Sequence, residues 1–125
     1  MSRGRDDNPG PAVELLQGTL DLLILQSLAG RSMHGFGIAR WIEQTSGDVL
    51  SIEEGSLYPA LHRLEHRGWL ASKWQPSEHR RRARYYRLTA SGRRHLVAET
   101  SGWSSFVQAV GRTLRAGRRA AAGRP

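Results

Sequence analysis

Cysteine is absent from this chain of 125 residues, which excludes disulfide scaffolds and thiolate zinc sites and fits a reducing compartment. No apolar run approaches the roughly 18 residues needed to cross a membrane. The longest, LDLLILQSL, is interrupted by Asp21 and Gln26. The opening MSRGRDDNPGPA lacks the apolar centre of a secretory signal, so residues 1–13 read as a flexible tail and a cytoplasmic protein is expected. The five histidines, Asp48 and Glu65 lack metal-ligand spacing, HGFG lacks the spacing of a phosphate-binding loop, and Ser56 has no G-x-S-x-G elbow. Neither a metal, nor another cofactor, nor an enzymatic activity is expected.

Negative charge is scarce in the second half of the chain. Residues 1–79 hold seven Lys/Arg against ten Asp/Glu, a net −3, whereas residues 80–125 hold twelve Arg against Glu99 alone, a net +11. A merely solubilising surface would intersperse the signs. Segregation instead points to a polyanionic partner, either nucleic acid or an anionic membrane face. The densest part is HRRRARYYR at residues 79–87, with five arginines and two tyrosines in nine residues. The length allows one hydrophobic core plus an extra element.

Periodicity organises what is present. Over residues 14–29, Leu16, Leu20, Leu23 and Ile24 form one apolar side of a helix and Leu15, Leu22 and Leu25 another, so one side suits the chain's own core and the other a neighbouring chain. Gly30 stops this helix, RSMHG reads as a turn, and a second helix spans residues 34–45 with Ile38, Trp41 and Ile42 inward. VLSI, residues 49–52, reads as a brief strand. A third helix starts between Glu53 and Ser56, since an earlier start would bury Pro59 deep inside it. Its stripe of Leu57, Leu61 and Leu64 places Pro59, His62, Arg63 and His66 on the outer side, with burial of Arg63 not expected. Gly68 closes it.

Strands over residues 70–75 and 84–88 then make a hairpin whose tip carries the arginines. The period of two sets Tyr86 and Leu88 inward and Tyr85 and Arg87 outward, so that Tyr85 faces the arginines, placed for a phosphate hydrogen bond or for stacking on a guanidinium. Thr89 suits an N-cap. The helix after it repeats Leu96, Trp103 and Val110 every seven residues, and likewise Val107 and Leu114, with Phe106 beside them. The chain ends in RAGRRAAAGRP.

The predicted fold is mainly α with a small β-hairpin wing: a winged helix-turn-helix over residues 14–89, a long dimerisation helix over 90–115 and a basic flexible tail over 116–125. In that layout the third helix enters a DNA major groove and the hairpin follows the backbone or the adjacent minor groove. Crowded arginines then become favourable on binding, because each neutralises a phosphate and releases a counterion.

Three motifs, MHGFGI, EEGSLYPALHRLEHRGWL and RRRARYYRLTASGRRHL, resemble the PadR family of bacterial transcriptional regulators, most closely in S-L-Y-P-A-L-H-R-L-E and in Y-Y-R-L-T-x-x-G. The resemblance covers about residues 14–115 and implies a dimeric winged-helix DNA-binding protein, usually a repressor, of the subgroup with a single C-terminal helix. It implies that Ser56, Tyr58 and Arg63 occupy recognition-helix positions and that Arg80, Arg81, Arg82 and Arg84 form the basic wing. His62, on the outer face, is a candidate for base or phosphate contact. Trp103 falls where some members place an aromatic residue lining a cavity for flat aromatic effectors at the dimer centre. Two departures stand out: His79 replaces a glycine common before the basic run, and Phe36 replaces a common tyrosine.

The expected assembly is a homodimer in which Leu15, Leu22 and Leu25 of the first helix meet Leu96, Trp103, Phe106, Val107, Val110 and Leu114 of the partner's C-terminal helix. Double-stranded DNA at a promoter is the expected partner, through an inverted-repeat operator, with a small aromatic effector as a further candidate. Two alternatives are a module docking on an acidic protein or anionic membrane, and a nonspecific nucleoid-like DNA binder.

Overall fold

The computed structural model describes residues 17–77 and 82–123. Its elements in chain order are α1 (Gln17–Ser27), β1 (Met33–His34), α2 (Gly35–Thr45), α3 (Glu54–His66), β2 (Leu70–Pro76), β3 (Arg82–Leu88) and α4 (Ala90–Ala122). The strands form one antiparallel sheet of order β1-β3-β2, with Leu70 opposite Leu88 and Trp74 opposite Arg84. The fold is thus mainly helical with a small sheet, as the periodicities predict.

One core joins all the layers. Leu20, Ile24, Leu25 and Leu28 from α1 and its end pack with Ile38 and Ile42 of α2, the Leu57, Leu61 and Leu64 stripe of α3, Leu70, Tyr86 and Leu88 of the sheet, and Leu96 of α4. Two residues expected at a dimer interface therefore lie inside: Leu25 is 1% exposed and Leu96 8%. The reason is geometric. Because α2, α3 and α4 all pack on α1, residues about 100° apart around that helix meet different neighbours of the same chain. Leu22 remains half-buried, while Leu15 and the expected tail over residues 1–13 lie outside the described residues.

The segment RSMHG, expected as a turn, holds β1, whose Met33 and His34 pair with Tyr86 and Tyr85. Two residues are too few to show alternation, and their partners lie far along the chain. The opposite correction applies to residues 49–52, where only Leu50 makes an isolated bridge. Side chains take the donors a strand would use: the Leu50 N–H donates to Ser46 Oγ (3.1 Å) and the Ile52 N–H to a Glu43 carboxylate oxygen (3.0 Å).

The helix ends follow local chemistry. α3 closes in a Schellman motif, with Gly68 at φ +82° and the Trp69 and Gly68 N–H groups donating to Leu64 and Glu65 carbonyls. Thr89 caps α4: its Oγ1 accepts from the Gly92 N–H (2.9 Å) while its hydroxyl donates to the Gly68 carbonyl (2.6 Å). A Cβ at Gly92 would collide with the Trp69 carbonyl oxygen, so only glycine lets α4 approach the backbone between α3 and β2 this closely. α4 also runs to Ala122, seven residues beyond the expected end at 115, so most of the expected flexible tail is helical. Arg118, Arg119 and Ala120 to Ala122 are strong helix formers, with Gly117 the lone opposing residue among them.

Candidate nucleic-acid interface

α3 presents its outer side next to the wing. The wheel places Pro59, His62 and His66 farthest from the core, and all three are exposed, as is Ser56. Tyr58, 45% exposed, leans toward the sheet across Gly35, where a Cβ would stand 2.7 Å from its ring. Tyr58 and the wing residues Trp74, Arg82 and Arg84 line a common groove of about 550 Å³, together with His34 of β1 and Phe36 of α2. His34 is fixed there because its Nδ1 accepts the Gly37 N–H (3.0 Å) and caps α2.

The sheet face toward α3 changes character along its length. Leu70 and Leu88 are buried in the core, Ser72 and Tyr86 form the next rung, and Trp74 and Arg84 make the exposed outer rung. On this face Arg84 is held in place. Its Nε donates to Ser72 Oγ (2.8 Å), a terminal nitrogen donates to both Glu65 oxygens (3.2 Å each), and its guanidinium sits 5.9 Å from the Trp74 ring centre. The Ser72 hydroxyl donates to Glu65 Oε2 (2.6 Å). That bond, then Arg84, holds the Glu65 carboxyl below its ordinary value against the opposing effect of partial burial. Burial pushes the Tyr86 phenol up.

Arg63 does not project outward as expected. It lies on the flank of α3 that faces α1, where it donates to Asp21 Oδ1 (2.5 Å) with its Nε buried and unpartnered. Its position is −100° from Leu64 around the helix, between the leucine stripe and the outer line. Tyr85 is half-buried with its ring edge-on to His34 (5.3 Å between centres), packed on β1 rather than turned to the arginines. Arg80 and Arg81 lie outside the described residues; Arg82 is exposed.

A second surface lies along α4. Trp103, Phe106, Val107, Val110 and Leu114 share one side of the helix and are 40–59% exposed. Toward the middle of α4, Glu99, Trp103 and Phe106 line with Gly18, Thr19 and Leu22 of α1 an open cavity of about 390 Å³. Among the described residues no cluster of His, Asp and Glu could hold a metal ion, and no helix is long and apolar enough to cross a membrane.

The model of the PadR-like family of transcriptional regulators matches residues 24–98, a span that runs from the core of α1 through the wing into α4. The chain belongs to the PadR family. It is 33% identical over 98 residues to the transcriptional regulator Rv3488 of Mycobacterium tuberculosis, covering 78% of this chain and 87% of that one. A PadR family transcriptional regulator from Eggerthella lenta superposes with a TM-score of 0.67 at 32% identity, over 78% of this chain and 83% of the other. The Streptococcus mutans protein smu.1704 gives 0.70 at 32% identity, over 82% and 92%. This PadR-family protein is a winged-helix, DNA-binding transcriptional regulator, and its family consists of regulators rather than enzymes.

The PadR motifs have packing reasons in this chain. The glycine of MHG makes room for the tyrosine of SLYP, and the glycine of LTASG makes room for the Trp69 carbonyl. Sequence reasoning missed Trp74, His34 and the Glu65–Ser72–Arg84 cluster. For Trp74 a signal existed, since counting by two from buried Leu70 reaches Ser72 and Trp74 on one face. For Glu65 none did, because its partners lie 7 and 19 residues away across a corner.

Proposed function

We propose that this PadR-family regulator binds an inverted-repeat operator as a homodimer and represses transcription by occupying promoter DNA. The observation that carries the reading is that Tyr58 of α3 and Arg82 of β3 line one groove, so a helix suited to the major groove and a cationic strand end lie on the same side of the molecule. Ser56, Tyr58 and His62 would face the duplex from α3, and Arg82 with the neighbouring Arg80 and Arg81 would grip its backbone. Arg63 would first have to leave Asp21. The homodimer reading is supported by the exposed Trp103–Leu114 stripe, far too apolar for solvent alone. Two such domains would address successive major grooves about 34 Å apart. Release by a flat aromatic effector is supported by the 390 Å³ cavity beside Trp103.

A competition gel shift tests the reading, with DNA upstream of the protein's own gene set against a scrambled duplex. Preference for the upstream DNA is expected. Equal affinity would remove the operator reading and favour a nonspecific, nucleoid-like binder, whereas no binding to either would favour docking on an acidic protein or membrane. Salt dependence alone does not decide, because every polycation shows it.

A further inference from the structure

We propose that Arg84 acts in DNA binding as a positioning residue: it fastens the wing to α3 through Glu65 and Ser72 and does not itself neutralise a phosphate. The inference rests on the DNA-binding reading above and separates Arg84 from Arg82, its neighbour in the same basic run.

The geometry distinguishes the two arginines. Both are exposed, but Arg84 directs its Nε and a terminal nitrogen back across the sheet face to Ser72 Oγ and the Glu65 carboxylate, whereas Arg82 stands at the end of β3. Glu65 sits on α3 on the flank opposite Arg63, and Ser72 sits on β2, so the three side chains tie together a helix and two strands. The acceptors of the cluster are filled, while the second terminal nitrogen of Arg84 stays at the surface. One Glu65 oxygen takes both the Ser72 hydroxyl and Arg84, the other takes Arg84, and Ser72 uses its hydroxyl as donor and acceptor at once. A phosphate could meet the second terminal nitrogen of Arg84, but the positive charge it would find there is already offset by the Glu65 carboxylate, and drawing Arg84 away would leave that carboxylate uncompensated beside a polyanion. Arg84 is therefore more useful where it is, setting the distance between the recognition helix and the wing.

The two roles give opposite signs for one substitution. If Arg84 were a phosphate contact restrained by Glu65, Glu65→Gln would release it and tighten binding. If Arg84 positions the wing, Glu65→Gln weakens binding. Ser72→Ala sharpens the contrast because it removes no charge. Affinity for a duplex that the wild type binds is measured across a salt series for wild type, Glu65→Gln, Ser72→Ala, Arg84→Gln and Arg82→Gln, with folding checked by circular dichroism.

Glu65→Gln and Ser72→Ala are each expected to weaken binding about tenfold, the equivalent of one charge-assisted hydrogen bond, with the salt slope of wild type. Arg84→Gln should behave like them, and Arg82→Gln alone should reduce the slope by about 0.9, one phosphate. Tighter or unchanged binding by Glu65→Gln overturns the proposal, as does a slope reduction by Arg84→Gln with Ser72→Ala at wild-type affinity. Should Glu65→Gln fail to fold, Ser72→Ala against Arg84→Gln decides the same question. Any duplex serves, so loss of sequence preference would strike the operator reading and leave this comparison intact.

Discussion

The ring of Tyr58 lies across the bare α-carbon of Gly35, so near that an added methyl would stand 2.7 Å from ring Cε1 and 2.9 Å from the hydroxyl oxygen. A position in the first turn of α2 thereby fixes the pose of an exposed side chain on α3. Gly35→Ala should push the ring aside rather than unfold the domain, because a side chain 45% exposed can swing away. The expected result is weaker DNA binding with an unfolding midpoint near wild type. The effect should vanish in a Tyr58→Ala background, a coupling that a double-mutant cycle reads directly.

Gly92 presents the opposite case, since backbone opposes it and cannot swing. Gly92→Ala is expected to destabilise by about 1–3 kcal/mol or more through overpacking of α4 against the Trp69 backbone. Gly117, with nothing within 4 Å of an added Cβ, supplies the control: Gly117→Ala should stabilise by about 0.5–1 kcal/mol. Urea unfolding of both variants separates a packing glycine from a merely flexible one.

The apolar residues of α4 divide into two kinds. Leu96, buried with the core, should cost about 2–5 kcal/mol as Leu96→Ala. Trp103→Arg combined with Val110→Asp should leave the domain folded and abolish the proposed self-association, because both side chains are 40–44% exposed in the single chain. Sedimentation velocity checks this. A variant that still sediments as wild type would place the interface elsewhere.

Acid should loosen the wing. The Glu65 carboxyl titrates below its ordinary 4.5 because Ser72 and then Arg84 favour its charged form. A carboxyl depressed in the folded state contributes stability above its unfolded pKa and loses it as pH falls through the folded value. The unfolding midpoint of wild type should therefore drop more steeply below about pH 4.5 than that of Glu65→Gln, with the two curves parallel near neutrality.

Much of this was legible in the chain because local chemistry and burial agreed. The Leu57–Leu64 stripe, the inward Tyr86 and Leu88, the Gly68 stop and the Thr89 cap each follow from one element and its own spacing. What was not legible depended on neighbours. Leu25 and Leu96 look like interface residues by spacing, and only the number of helices surrounding α1 shows that they are core. Arg63 and Glu65 stand on opposite flanks of α3, and their partners, Asp21 and Arg84, lie 42 and 19 residues away. No periodicity within a helix reports such pairings. The helical continuation to Ala122 was obscured by composition, since arginine-rich segments suit both a tail and a helix.

The central claim is that the outer side of α3 and the wing meet one duplex together, and photo-crosslinking tests it most directly. A photoreactive side chain placed at position 58, and separately at position 82, should in both cases attach to the same operator half-site, within about half a helical turn of each other, or roughly 5 base pairs. Crosslinking from position 58 with none from position 82, or attachment of the two to different half-sites, would contradict it.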